Sequence, residues 1–117
     1  MDDVLVVCDD FNLDLGLLRL RGSGSSGGQK GLQNIIERCG TEKFPRLRIG
    51  IGQPPKFMQS PDFVLSRFRE NEREIIDKAI GDAATGIELW IKSGLSQAMN
   101  TVNRPVDPPS AAESVKP

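Results

Sequence analysis

Histidine and tyrosine are absent from the chain, and its 117 residues include one tryptophan and two cysteines. Histidine is the usual general base near neutral pH and the commonest zinc ligand, so histidine triads and zinc hydrolase sites cannot be assembled from these residues alone. Cys8 and Cys39 lack metal-ligand spacing, and two thiols do not make the disulfide framework of a small secreted protein. They are expected to act as small buried hydrophobes, and neither a metal nor a cofactor is expected. No apolar run is long enough to cross a bilayer, and "MDDVLVV" carries no basic segment ahead of a long apolar one. That pattern points to a cytosolic protein with no membrane partner. The formal net charge is only −1, so attraction to a polyanion has to come from local clustering of cations.

What remains is the composition of a folded domain, with 38% hydrophobic and 26% charged residues in a length that suits one modest core. "VLVV", residues 4–7, reads as a strand buried on both faces and ended by Asp9 and Asp10. A strand so apolar is expected to be central, with neighbours on both sides, which implies further sequence ahead of Met1. "GLLRLRG" alternates Leu18 and Leu20 with Arg19 and Arg21, a half-buried strand with two arginines on one face. Leu32, Ile35, Ile36 and Cys39 recur at helical spacing before Gly40, where a C-terminal cap belongs. "FPRLRIGIG" sets Leu47, Ile49 and Ile51 against Arg46 and Arg48 in a third strand.

From about Glu70 to Ser93, Ile76, Ala79, Ile80, Ala83, Ile87, Trp90 and Ile91 form a broad apolar stripe expected to belong to the core. A short helix follows over Leu95 to Val102. The order of strands and helices predicts an α/β domain over residues 1–103, and the proline-rich residues 104–117 are expected to be a disordered tail.

Between the second strand and the first helix lies "RGSGSSGGQKGL", mostly glycine and serine. Gly22, Gly24 and Gly27 satisfy the G-x-G-x-x-G spacing of a dinucleotide fingerprint, but the next strand closes in Gly52-Gln53 without the acidic residue that would bind ribose. A phosphate-binding P-loop fails as well, because Gln29 rather than glycine precedes Lys30. A plain flexible connection is a further reading of the loop. Arg19, Arg21 and Arg48, projecting from strands beside Gly22, Gly24, Gly27 and Gly28, favour a clamp for nucleic-acid phosphates, although a solvated sheet face is the commoner reason for any single arginine. Asp9 and Asp10 end the first strand, where open α/β sheets collect their ligands. Either could orient a base, and an acidic pair there also forms turns, as does Asp14.

The runs "VVCDDFNLDLGLLRLRGSGSSGGQKGLQNII", "GTEKFPRLRIGIGQPP" and "FVLSRF" closely resemble the bacterial-type peptidyl-tRNA hydrolases in order and spacing, from about Val4 to Asn103. The resemblance implies a single mixed, mostly parallel sheet with helices on both faces, in a monomer. It also implies hydrolysis of the ester that joins a peptide to the terminal ribose of tRNA. Asp9 matches the family's aspartate that orients a water-activating histidine. That histidine, and a glycine-asparagine-proline segment, belong to the family's first half and have no counterpart here. Arg19, Arg21 and Arg48 match positions that grip tRNA phosphates. Gln29 and Lys30 replace the histidine and asparagine of the usual "GGHNGL", which line the cleft for the peptide and the acceptor end. Gln29 can still donate and accept hydrogen bonds, whereas Lys30 adds a charge where an amide is usual. The alternatives are a tRNA- or RNA-binding module without catalysis and, more weakly, a dinucleotide-binding domain.

Overall fold

The computed structural model describes residues 3–52 and 70–103. The "FVLSRF" run and residues 104–117 therefore lie outside the described residues. Three strands, β1 (Val6–Asp10), β2 (Leu18–Arg21) and β3 (Arg46–Gly50), form a mixed sheet in the order β1-β3-β2. β1 runs parallel to β3 and β2 antiparallel to it. Helix α1 (Lys30–Cys39) covers one face, while α2 (Glu70–Ser93) and α3 (Leu95–Val102) cover the other.

Helix α1 starts and stops by side-chain and main-chain capping. Gln29 occupies the N-cap in an extended conformation, its side-chain oxygen accepting the Leu32 N–H. At the other end Gly40 takes φ 70° and its N–H bonds the Ile36 carbonyl. Leu32 and Ile36 then pack with Phe44 and the inward faces of Val6 and Cys8.

On the opposite face, Leu20 and Leu47 pack against Ala83 of α2 and Ala98 of α3, with Leu18, Ile49, Ile87, Trp90 and Met99 around them. The two leucines are 1% exposed, and full burial of such a side chain is worth roughly 1.5–3 kcal/mol. Ile76, Ala79, Ala83, Gly86 and Trp90 recur at intervals of three and four along α2, so the helix seats a narrow seam on the sheet and on α3.

Three expectations change. The first strand begins at Val6 rather than Val4, because its register with β3 starts at Val6–Arg46; among the described residues its strand neighbour is β3. Val4 and Val7 are exposed. β3, with its alternating arginines, is the central strand. On α2, Ile80 and Ile91 turn away from the seam, Ile91 being 70% exposed, so the apolar stripe is wider than the surface it covers. Cys8 is half-buried and Cys39 exposed at the end of α1, where only the inward side of the helix meets the sheet.

The β1–β2 connection folds back over the end of β3. Gly16 donates to the Gly50 carbonyl at 3.0 Å, and Gly50 donates to the Leu17 carbonyl at 2.8 Å. A Cβ on Gly50 would run into the main-chain oxygens of Leu13 and Asp14, so only glycine permits this crossing. The free edge of β2 is closed by a side chain that imitates a strand. The Asn103 amide accepts the Leu20 N–H and donates to the Leu20 carbonyl, both at 2.8 Å. Replacing Asn103 with Ala leaves both part-buried main-chain groups without that partner; the expected loss is about 1–3 kcal/mol, read from the midpoint of urea unfolding at unchanged slope.

Candidate functional site

The glycine-rich segment is anchored rather than pliant. Beneath it lies the guanidinium of Arg46, which is 1% exposed although its position in the alternating pattern reads as solvent-facing. Its Nε donates to the Phe44 carbonyl at 3.0 Å, Nη1 to those of Gly24 at 2.8 Å and Ser25 at 3.4 Å, and Nη2 to that of Glu42 at 2.7 Å. The charge also sits 4.6 Å from the centre of the Phe44 ring. Burial lowers its pKa from the usual value, and the neighbouring Arg48 lowers it further. Five donors in a fixed fork are what allow one side chain to satisfy so many carbonyls.

Arg48 braces the same loop. Its Nη2 donates to the Ser25 carbonyl at 2.8 Å, and its Nη1 lies 3.4 Å from Asp10 Oδ2, with the arginine side chain 12% exposed. The expectation that Arg46 and Arg48 stand on an open sheet face is therefore corrected: the loop folds down over that face and its carbonyl oxygens take up the two guanidiniums. Arg19 and Arg21, paired with Arg48 and Arg46 across the β2–β3 ladder, remain exposed.

Above this base the chain brings Asp9, Gln29 and the glycine loop together at the carboxyl end of β1. Asp9 Oδ1 accepts from Gln29 Nε2 at 2.6 Å, and Gln29 Oε1 accepts the Leu32 N–H at 2.6 Å. Asn12 donates to the Gly27 carbonyl at 3.4 Å, tying the β1–β2 turn to the loop. Asp10 accepts the Asn12 N–H at 2.8 Å, which is the turn-forming role of an acidic pair, and Asp14 accepts the Leu17 N–H through its carbonyl at 3.0 Å. Lys30, the first residue of α1, is exposed, a cation at the positive end of the helix dipole with no acidic residue in the first turn. The roles of Arg46, Asn12 and the buried Ser26 were not read from the sequence. Arg46 shares the spacing of Arg48 and differs only in depth, while serines in a glycine-rich run give no signal of burial.

The loop geometry also bears on the nucleotide reading. The N–H groups of Gly24 and Gly28 are spent on the Glu42 carbonyl and the Ser26 hydroxyl, and the loop points carbonyls at the arginines. A phosphate cradle needs free N–H groups instead. Among the described residues no group of three or more Cys, Asp or Glu side chains is placed to hold a metal ion, and no described helix is long and apolar enough to cross a membrane.

A sequence model of a family described as Peptidyl-tRNA hydrolase matches residues 1–110. The chain belongs to the peptidyl-tRNA hydrolase family. It is 47% identical over 102 residues to the peptidyl-tRNA hydrolase of Rhodopirellula baltica, covering 87% of this chain and 54% of that protein. It is 47% identical over 103 residues to that of Syntrophomonas wolfei, covering 88% and 55%. The crystal structure of the peptidyl-tRNA hydrolase from Acinetobacter baumannii superposes with a TM-score of 0.77 at 34% identity, over 86% of this chain and 50% of that one. The α/β architecture with a mixed sheet is thus that of the family, and the chain spans about half the length of the relatives it matches.

Two substitutions test this arrangement. Arg46→Met strands several carbonyls that now share one buried fork, so a loss on the order of 3 kcal/mol is expected in urea unfolding. Arg46→Lys should fail to restore it, since an ammonium group lacks the planar geometry. The thiols should differ too, because burial pushes the Cys8 thiol above its ordinary value, an effect that the Arg48 guanidinium opposes in part. Iodoacetamide at pH 8 should therefore label exposed Cys39 first and Cys8 about tenfold more slowly, as read by peptide mass spectrometry.

Proposed function

We propose that this chain is the tRNA-seating and base-orienting part of a cytosolic, monomeric peptidyl-tRNA hydrolase. The observation that carries the reading is the Asp9 carboxylate, held at the carboxyl end of β1 beside an anchored loop, with exposed Arg19 and Arg21 on the adjoining strand. The two exposed guanidiniums, of which Arg21 Nη1 also donates to the Leu20 carbonyl at 3.0 Å, grip backbone phosphates, and Arg48 serves the site indirectly by holding the loop. Asp9 accepts an N–H from the general base. The base takes a proton from water, the hydroxide equivalent attacks the ester carbonyl, and collapse of the tetrahedral intermediate releases the ribose oxygen, which recovers the proton.

No histidine occurs in these 117 residues, so on this reading a histidine base is supplied from outside them. Exogenous imidazole is the direct test. Deacylation of peptidyl-tRNA by the chain should be stimulated by imidazole above the solution rate, and the stimulation should vanish in Asp9→Ala. Failure of imidazole to act, with tRNA still bound, would instead favour the second reading, a binding module without catalysis, which rests on exposed Arg19 and Arg21. Binding itself is read by titration against salt. Arg19→Ala and Arg21→Ala should each flatten the logarithmic salt slope by roughly one unit and weaken all tRNAs alike.

A further inference from the structure

We infer that Gln29 is a positioning residue for Asp9: it holds Oδ1 of the carboxylate and leaves Oδ2 as the oxygen that meets the base. The inference rests on the esterase reading for its use, but the arrangement itself stands on contacts within the chain. An amide side chain can be turned either way, and here its neighbours allow one orientation. The Leu32 N–H is a donor and needs an oxygen, so Oε1 faces the helix and the NH2 group is left to face Asp9. Both hydrogen bonds are 2.6 Å long.

The main chain of Gln29 is held as firmly. Its N–H donates to the Ser26 carbonyl at 3.1 Å, and its carbonyl accepts the Gln33 N–H at 3.0 Å. Gly31 makes room for the side chain to lie back over the first turn, since a Cβ at that position would stand 3.1 Å from Gln29 Oε1. One residue therefore couples the start of α1, the end of the glycine loop and the carboxylate at the end of β1. Asp9 is oriented before any base arrives, by the helix cap rather than by the base. Sequence comparison alone would assign Gln29 to the substrate cleft. In the structure its oxygen is spent on the helix and its nitrogen on Asp9.

The substitution Gln29→Glu separates the two halves of this role. A glutamate oxygen still accepts the Leu32 N–H, so the cap survives, but the donor to Asp9 is replaced by a second carboxylate. Three-bond couplings from the Asp9 carboxyl carbon to its main-chain nitrogen and carbonyl carbon report its rotamer by nuclear magnetic resonance. In the wild-type chain they should show one staggered conformer. In Gln29→Glu near neutral pH they should average, while the Leu32 amide resonance stays downfield. Gly31→Ala, which crowds Oε1, should produce partial averaging.

The imidazole-stimulated deacylation rate at saturating tRNA should fall about 10- to 100-fold in Gln29→Glu with little change in half-saturation, because misorientation costs turnover and not binding. A single Asp9 rotamer retained in Gln29→Glu overturns the inference, and so does averaging with an unaltered rate. If the wild-type chain shows no Asp9-dependent deacylation, the esterase reading falls on its own. The couplings then still decide whether Gln29 fixes Asp9.

Discussion

The placement of the glycine loop over the sheet depends on the burial of one guanidinium. Arg46 stands in the middle strand, where solvation is lost, and replaces water with the carbonyls of Gly24, Ser25, Glu42 and Phe44. Burying a cation unpaired is prohibitive, and burying it against a ring of carbonyl dipoles is tolerable when nearly every donor finds a partner. The cost is visible in its lowered pKa. In exchange, two segments distant in sequence, the glycine loop and the connection into β3, are held to the same strand.

That anchoring changes the meaning of the glycines. A run of glycine and serine has the backbone freedom of a linker, and freedom of that kind has to be removed before the run can present anything in a fixed place. Here Arg46 and Arg48 remove it from below, Asn12 from the side and the N-cap of α1 from the far end. Glycine remains favoured at Gly27, where φ is 61° and an added Cβ would stand 3.3 Å from Arg48 Nη1. The loop is thus a rigid shelf whose carbonyls face inward, and it sets Gln29 at the height of Asp9.

The division of labour among the arginines follows from depth. Four guanidiniums alternate along β2 and β3 on one face of the sheet, where like charges facing each other across a ladder are unfavourable. The conflict is eased because the β3 pair is solvated by carbonyls, with Asp10 beside Arg48, while the β2 pair stays exposed to water and Arg21 donates to the Leu20 carbonyl. The middle strand of the described sheet spends its cations on the fold, while β2 leaves Arg19 and Arg21 exposed.

Local pattern was sufficient wherever a residue's role depended on its immediate neighbours. The span of α2, the stop of α1 at Gly40, the short helix over residues 95–102 and the alternation in β2 all follow from spacing and capping, because those signals act over one or two turns of chain. The family, too, was legible in the order of short runs. Depth was not. Nothing in "PRLRIG" distinguishes Arg46 from Arg48, since their depth depends on which distant segment is laid against them. Likewise "DD" and "GQKG" are twenty residues apart, and only the parallel pairing of β1 with β3, with α1 packed across it, brings the Asp9 carboxylate within 2.6 Å of the Gln29 amide. Periodicity reports which way a side chain leaves its own strand; what it meets there is a property of the assembled layers.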